Sequence, residues 1–578
     1  MISYQLAYDT IQQYVEKYVL TPTGLDAPTA KKLSVQLGVS TVIVYYFYKL
    51  ILYRLYFHPA NRIPGPKVSW IPFMGNFFEV VKEGAGIPHK RWTKQYGGIV
   101  TYHGEWNRPR IVVTDPILLK QVLTTNEYDY VKPPRTSAFL RRVLGNGVLL
   151  AEGETHRHQR KMLNPAFSVN AIRSILPLMA MPGHRLRDHW LAAIQSDENK
   201  KGNKEYTEME ISTGLSFAAL DVIGWAFGQD FKSLEFAGTP NQSKLSQAYL
   251  QLFSNDASLV RLLTFLFPKF IYVPIPRNIL VMKDLKLLDK ESEALVQVGI
   301  ERANAANAAK AFGVVSDKPK DLLDTMVDLI DEETGQGFTA DELKNQCLTF
   351  LAAGHETTSV SLSWALWLLA KDQTIQDELR SEVLALFKGD DVPSYDAINS
   401  LPLLNNVVRE TLRLIPSVPM VSRVSRVTTT LGSYVLPMGT QIDISIMALH
   451  HSTEIWGSDA EEFKPKRWDR SEKIGNAYQY MPFLAGGRQC IGYKFALVEF
   501  KMLLAILVRD IQYFEKPDFK ISKKQEVTLK PFPNMTLWLK PVTSLLKRAT
   551  VGYFILTLLI PASDMHHNHK LKTFSSGK

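Results

Sequence analysis

The chain has 578 residues, 46% of them hydrophobic, which is enough to bury a large core. Lys and Arg number 67 against 57 Asp and Glu, giving a net charge of +10, and no basic run is dense enough for a nucleic-acid arm. No nucleic-acid partner is expected, and an anionic membrane or an acidic protein partner is favoured instead. Two cysteines allow at most one disulfide, so disulfides do not organise the fold and a cytosol-facing body is expected. No internal repeat, low-complexity block or Gly/Ser linker divides the middle of the chain, and one large unit is the reading.

Residues 33–48, LSVQLGVSTVIVYYFY, carry no charge, and the stretch continues through Lys49 to Tyr53 with that one charge. At 1.5 Å per residue it reaches the ~30 Å of a bilayer's hydrocarbon layer. Tyr45, Tyr46, Tyr48, Tyr53 and Tyr56 crowd one end, where amphipathic rings favour the interface. The proline-rich hinge that follows, 58–66, separates this span from the body. The leading 32 residues hold Asp9, Glu16 and Asp26 and no Arg, against a mitochondrial transit peptide, and they set the span too far in for a cleaved signal. Lys49, Arg54, Arg62 and Lys67 follow the span while Lys31 and Lys32 precede it, a balance that leans toward a lumenal segment 1–32 and a cytosolic body. The alternative is a buried helix of a soluble core.

Further along, LLTFLFPKFIYVPIP (262–276) reads either as a lid between substrate and membrane or as ordinary core. At Thr339, TADE offers a capping box with Glu342, and 343–372 then runs without proline as an unusually long helix. At its centre Ala353-Gly354 removes bulk and Glu356-Thr357-Thr358 adds a carboxylate and two hydroxyls. Such a centre leaves room for a ligand or water beside the backbone. Equally, it suits a helix crossing in which Thr bonds back to the carbonyl four residues earlier. In LNNVVRETLRLIPSVPM (404–420), Glu410 and Arg413 share a helix face among apolar neighbours, and a buried pair there needs a further partner. In FLAGGRQCIG (483–492), Cys490 precedes an apolar helix, where free N–H groups and the positive end of the dipole favour thiolate. The bland alternative is a small buried hydrophobe. VGYFILTLLIPA (551–562) is too short to span a bilayer, and His566, His567 and His569 behind it suit a polar tail better than a metal site.

Over roughly residues 59–545 the chain resembles cytochromes P450, the haem-thiolate monooxygenases, and within them fungal microsomal members. Phe483-x-x-Gly486-x-Arg488-x-Cys490-x-Gly492 matches every fixed position of that family's haem-binding signature. The resemblance implies a mainly α fold with small β-sheets, a haem-thiolate domain over 67–545 behind an anchor at 33–57, and an atypical tail over 546–578. It implies haem b with Cys490 as the axial thiolate, a ligand that favours O–O cleavage. Phe483 and Gly486 would then lie beside the haem. Ala353-Gly354-His355-Glu356-Thr357-Thr358 resembles the family's oxygen-activation segment. Gly354 would leave room for oxygen, and Glu356 and Thr357 would be the acid–alcohol pair delivering protons. Glu410, Arg413 and Arg467 match the structural triad, with Arg467 as the missing partner. GETHRHQRKMLNPAF (153–167) resembles the helix that contacts the haem propionates, with His156 where Trp is usual and Arg160 one turn on. Arg423 and Arg488 are the other propionate partners that the resemblance implies.

By the same resemblance, the reaction is insertion of one oxygen atom from O₂ into a lipophilic substrate such as a terpenoid or polyketide. Fatty acids and sterols are the alternatives. Electrons would come from NADPH through cytochrome P450 reductase, with cytochrome b5 as a further partner, at the endoplasmic reticulum membrane. The competing readings are a haem-thiolate isomerase, dehydratase or peroxygenase, and a non-catalytic haem-binding protein. Cys347, on the long helix but outside any ligand motif, reads as an inert buried thiol.

Overall fold

The computed structural model describes residues 27–542, with Gln13 and Lys17 ahead of them, apart from 70–72, 85, 197–204, 236, 238, 240–242, 253–259, 261–262, 265–266, 312–319, 332, 388–389 and 470–475. The apolar stretch 551–562 and its three histidines lie outside the described residues, as does most of the segment 1–32.

An apolar helix, Ala27–Phe47, continues as wider π-helical turns over Tyr48–Phe57. It begins six residues before the uncharged stretch, because Ala27 to Lys32 holds no breaker beyond an early proline. Among the described residues one helical stretch, Lys31–Arg62, is long and apolar enough to cross a membrane, and none of its apolar window is buried in the molecule. The body is mostly helical with small sheets, as the resemblance implied. Its axis is the helix Ala340–Lys371. Thr339 Oγ1 accepts from Glu342 N at 3.2 Å, and Glu342 Oε2 accepts from Thr339 N at 2.9 Å, so the capping box that TADE suggested starts this helix. Apolar on most of its circumference, it is buried against the helices Ser212–Ala226, Pro276–Ala311 and Tyr493–Asp510. A Cβ on Gly354 would stand 3.1 Å from Ile223 Cδ1, so the missing side chain is what lets Ser212–Ala226 approach this closely.

A five-stranded sheet forms the other half of the frame, in the order Ile99–His103, Pro109–Val113, Gln441–Ser445, Met420–Ser425, Tyr130–Val131. Pro109–Val113 runs parallel to Gln441–Ser445 with Val112 opposite Asp443, while Met420–Ser425 runs antiparallel to the latter with Arg423 opposite Ile442. Ile111, Val113, Ile442, Ile444 and Leu119 give the sheet its own apolar core, separate from the larger helical one. A cavity of about 1560 Å³ lies where the two meet, lined from one side by the Gly354–Thr358 stretch and from the other by Val421, Arg423 and Gln441.

Candidate active site

Cys490 is held by a tight loop before it is held by a helix. Its N–H donates to Phe483 O at 2.9 Å and the N–H of Gln489 to Gly486 O at 3.0 Å; the helix Tyr493–Asp510 starts only after Gly492. Gly486 adopts φ +76°, and a Cβ there would meet Leu123 O at 1.9 Å, so no other residue fits. Gly486 thus seats the loop on the segment around Leu123 and does not line the cavity. Cys490, Phe483 and Arg488 do line it. The surface that Cys490 exposes opens into this cavity. Burial pushes its thiol pKa up, while the Gly492 N–H and Arg160 pull the other way. Burial thus opposes the effect of the nearby helix start on this thiol.

One wall of the cavity gathers His156, Arg160, Arg423, Arg488 and Lys132. His156 and Arg160 come from the helix Gly153–Leu163, one turn apart, and Arg423 from the strand Met420–Ser425. Arg488 pairs with Glu152 and lies over the Tyr128 ring at 5.2 Å. The Tyr128 hydroxyl and His156 Nδ1 share a hydrogen bond at 3.2 Å. Arg160 donates to Gln489 O, tying its helix to the cysteine loop. Glu152 is the acid that faces this group of cations. Burial, then neighbouring Arg488, pushes Lys132 down to about 7, His156 to about 4 and Arg423 to about 10. Arg488 Nε is buried without a hydrogen-bond partner. So crowded a set of donors is stable only with a buried anion among them, and a porphyrin's two carboxylates fit that requirement. Among the described residues no three His, Cys, Asp or Glu side chains cluster to hold a metal ion. A metal on Cys490 must bring its other ligands with it, as an iron porphyrin does.

On the long helix, Thr357 Oγ1 donates to Ala353 O at 2.8 Å, the back-bonded geometry of a helix crossing, yet Gly354, Glu356 and Thr357 all line the cavity. Both readings of this segment hold at once. Glu356 is buried, and its Oε1 accepts from Thr528 Oγ1 and pairs with Lys530 Nζ, each at 2.8 Å. Ser417 Oγ donates to Thr357 O at 3.2 Å, loading a carbonyl that already accepts from Ser361.

Away from the cavity, Arg413 grips Glu410 with two hydrogen bonds of 2.9 Å, and Arg467 Nε reaches Glu410 Oε1 at 2.8 Å. Lys464 N and Trp468 Nε1 add two further donors at 3.0 Å each, and Arg413 Nη1 reaches the carbonyls of His450 and Ala460 at 2.7 and 2.6 Å. The buried pair therefore has the partners that its burial demanded. Cys347 is fully buried with its thiol pKa raised by burial, as an inert thiol should be.

The family model for cytochrome P450 matches residues 64–538 of this chain. The chain belongs to the cytochrome P450 family. Cytochrome P450 monooxygenase sphH of Aspergillus fumigatus is 31% identical over 516 residues, covering 86% of this chain and 91% of its own. Cytochrome P450 monooxygenase 205 of Postia placenta is 32% identical over 542 residues, covering 87% and 95%. Outside fungi, the cytokinin hydroxylase of Arabidopsis thaliana is 31% identical over 467 residues, covering 79% and 83%. This P450 is accordingly a monooxygenase, of the family whose haem iron carries a cysteine thiolate.

Several residues in or beside this P450's cavity belong to no motif in the sequence. Lys530 and Thr528 sit on a C-terminal hairpin with no motif of its own. Glu152 and Tyr128 matter only through the cations that they meet. Glu499 alone left a signal: a carboxylate among Phe495, Val498, Phe500 and Met502 on a largely apolar helix, where Lys501 is the neighbouring charge. It lines the cavity, accepts from Thr358 Oγ1 at 3.1 Å, and keeps Oε1 without a partner. Burial pushes its pKa up to about 8.

Proposed function

We propose that this chain is a membrane-anchored haem-thiolate monooxygenase that oxidises a lipophilic substrate with electrons from NADPH, delivered by a separate reductase and, for some steps, by cytochrome b5. The observation that carries it is the convergence on one cavity of Cys490, the cationic wall and the Gly354–Thr357 segment. Residues 33–57 are the anchor, 58–66 the hinge and 67–545 the catalytic domain, on the cytosolic face of the endoplasmic reticulum. The supporting feature is an apolar helix with none of its window buried. We place the reaction in specialised metabolism, on a substrate such as a terpenoid or polyketide, with fatty acids and sterols as the alternatives; fungal relatives such as FUM15 of Gibberella moniliformis and claO of Ampulloclitocybe clavipes are named as P450 monooxygenases.

In this reading Cys490 Sγ would ligate the haem iron, and Arg160, Arg423, Arg488 and His156 would hold the two propionates. Once bound, the haem activates O₂ so that one atom enters the substrate and the other leaves as water. The chain's own part is protonic and steric. Glu356 takes up a proton at Oε2, while Thr528 and Lys530 hold Oε1 in place. Thr357 Oγ1, one residue on, releases Ala353 O and presents that proton at the cavity wall beside Gly354. Glu410, Arg413 and Arg467 carry no chemistry; they hold the segment before the cysteine loop against the helix Pro402–Leu414.

The test is spectroscopic first. The reduced protein with CO should show the thiolate band, and Cys490→Ala should abolish it; a wild-type protein without that band is no haem-thiolate enzyme. With a reductase added, product formation should require NADPH, and turnover without NADPH would indicate an isomerase or peroxygenase instead. Thr357→Ala should lower product per NADPH by about ten-fold or more while electrons are still consumed. Unchanged coupling would remove Thr357 from the proton path.

A further inference from the structure

The cationic wall near Cys490 leaves a second group of cations unexplained. Arg54, Arg108 and Arg135 are far apart in the sequence, yet all three line the cavity where the last turns of the N-terminal helix, Lys49 to Arg54, form its wall. Each is brought there by a different device. Arg54 stands in the last turn of the helical run, and its Nη1 donates to Trp106 O at 2.5 Å. Trp106 and Asn107 adopt the left-handed backbone, and Gly104 N donates to Arg108 O at 2.9 Å, closing the turn that sets Arg108 beside Arg54. Arg135 stands in the first turn of the helix Pro134–Leu144, behind two prolines that fix the entry of the chain.

Among the described residues no carboxylate forms an ion pair with this group. Arg108 and Arg135 make no side-chain hydrogen bond or ion pair among the described residues. The nearby carboxylate, Glu105, is taken by Arg110 at 2.5 Å. Burial, and then the neighbouring Arg135 charge, depresses the pKa of Arg108. The cavity that holds both this group and Cys490 also has an apolar lining, with Leu140, Val143, Val148, Ile223 and Val418 among it. At about 1560 Å³ the cavity exceeds what one small ligand uses, which is roughly 300–1,000 Å³. It has room for a porphyrin and an elongated second occupant.

We propose that Arg54, Arg108 and Arg135 form an anion subsite at the cavity mouth, which binds the carboxylate of an amphipathic substrate while its apolar body extends toward Cys490. The subsite rests on the reading of this cavity as the substrate chamber. Guanidinium forks match a carboxylate in shape, and an anion there relieves three like charges at a partly desolvated mouth. Such a substrate is held by its charged end, so oxidation falls on the part of its chain remote from the carboxylate. The reaction that supplies it is one that leaves a free acid, such as hydrolysis of a thioester or ester.

The test uses the full-length haem-loaded protein in discs of neutral phosphatidylcholine, with labelled dodecanoic acid and its methyl ester as probes in equilibrium dialysis. Wild type should bind the acid roughly ten-fold more tightly than the ester, the sum of two or three partly exposed charge contacts. The Arg108→Gln/Arg135→Gln double variant should lose that preference and keep its affinity for the ester, with the CO spectrum as the check on folding. Added salt should weaken the acid alone. Equal binding of acid and ester by wild type, or a preference that survives in the double variant, overturns the proposal. So does a double variant that loses only retention on phosphatidylserine vesicles, since the arginines would then be holding lipid headgroups. Dialysis reads binding without turnover, so a missing thiolate band would sink the monooxygenase reading independently of the acid preference.

Discussion

Glu499 shows how one side chain can carry information that neighbouring chemistry hides. It is a carboxylic acid in an apolar helix, satisfied on one oxygen by Thr358 and on the other by nothing. Because its folded pKa is raised to about 8 from 4.5, the native state keeps a proton that the unfolded chain releases. Its contribution to stability is therefore complete below pH 4.5 and lost as the pH rises through about 8. Glu499→Gln, which is neutral at every pH, should have a melting temperature close to wild type at about pH 5 and a few degrees higher at about pH 8. Thermal scans of the haem-loaded protein at the two pH values check this, and a difference independent of pH would mean that the carboxyl is ionised throughout. Nothing in the motif around Cys490 requires this acid to be neutral; its burial does.

At the scale of elements, the cysteine loop and the ion-pair triad were legible in the sequence, for a common reason. Gly486 and Glu410 have local demands that one residue type alone meets. Gly486 needs a positive φ with a backbone oxygen at van der Waals range, and Glu410 must accept from Arg413, Arg467, Trp468 and the Lys464 backbone at once. Glu410→Ala leaves two guanidinium groups buried beside no carboxylate and should cost about 3–5 kcal/mol. The expected readout is a lower melting temperature and a poorer yield of haem-loaded protein; a melting temperature equal to wild type would show the triad to be dispensable. The long helix taught less in advance. Its Gly354 serves the packing of Ile223 as well as the cavity, and Thr357 is back-bonded as a purely structural threonine would be. Spacing along a helix cannot separate two roles that the same atoms fill.

For the whole molecule, three buried histidines away from the cavity set the response to acid. Burial is the largest cause in each, and it depresses His89 to about 4, His450 to about 3 and His451 to about 4 from 6.5. On unfolding each takes up a proton in acid that the native state refuses, so stability is complete above pH 6.5 and falls as the pH drops toward 4. Three such groups outweigh Glu499, which acts in the opposite sense over part of that range. Denaturation midpoints measured between pH 7 and pH 5 should therefore fall with acid, and His450→Gln should make the fall shallower. A profile that is flat or rises with acid would contradict the burial of these rings.

The sequence by itself determined the family, the cysteine, the triad and the apolar N-terminal run, because each is written in residues close together or in a fixed motif. Tertiary structure alone decided that Glu356 is held by Lys530 and Thr528, whose hairpin lies more than a hundred residues further along the chain. It also decided that Arg54, Arg108 and Arg135 meet at one mouth. Charge acts through space and falls with distance, not with separation along the chain, so three arginines on a helix end, a turn and a second helix have no common signature until the fold brings them together.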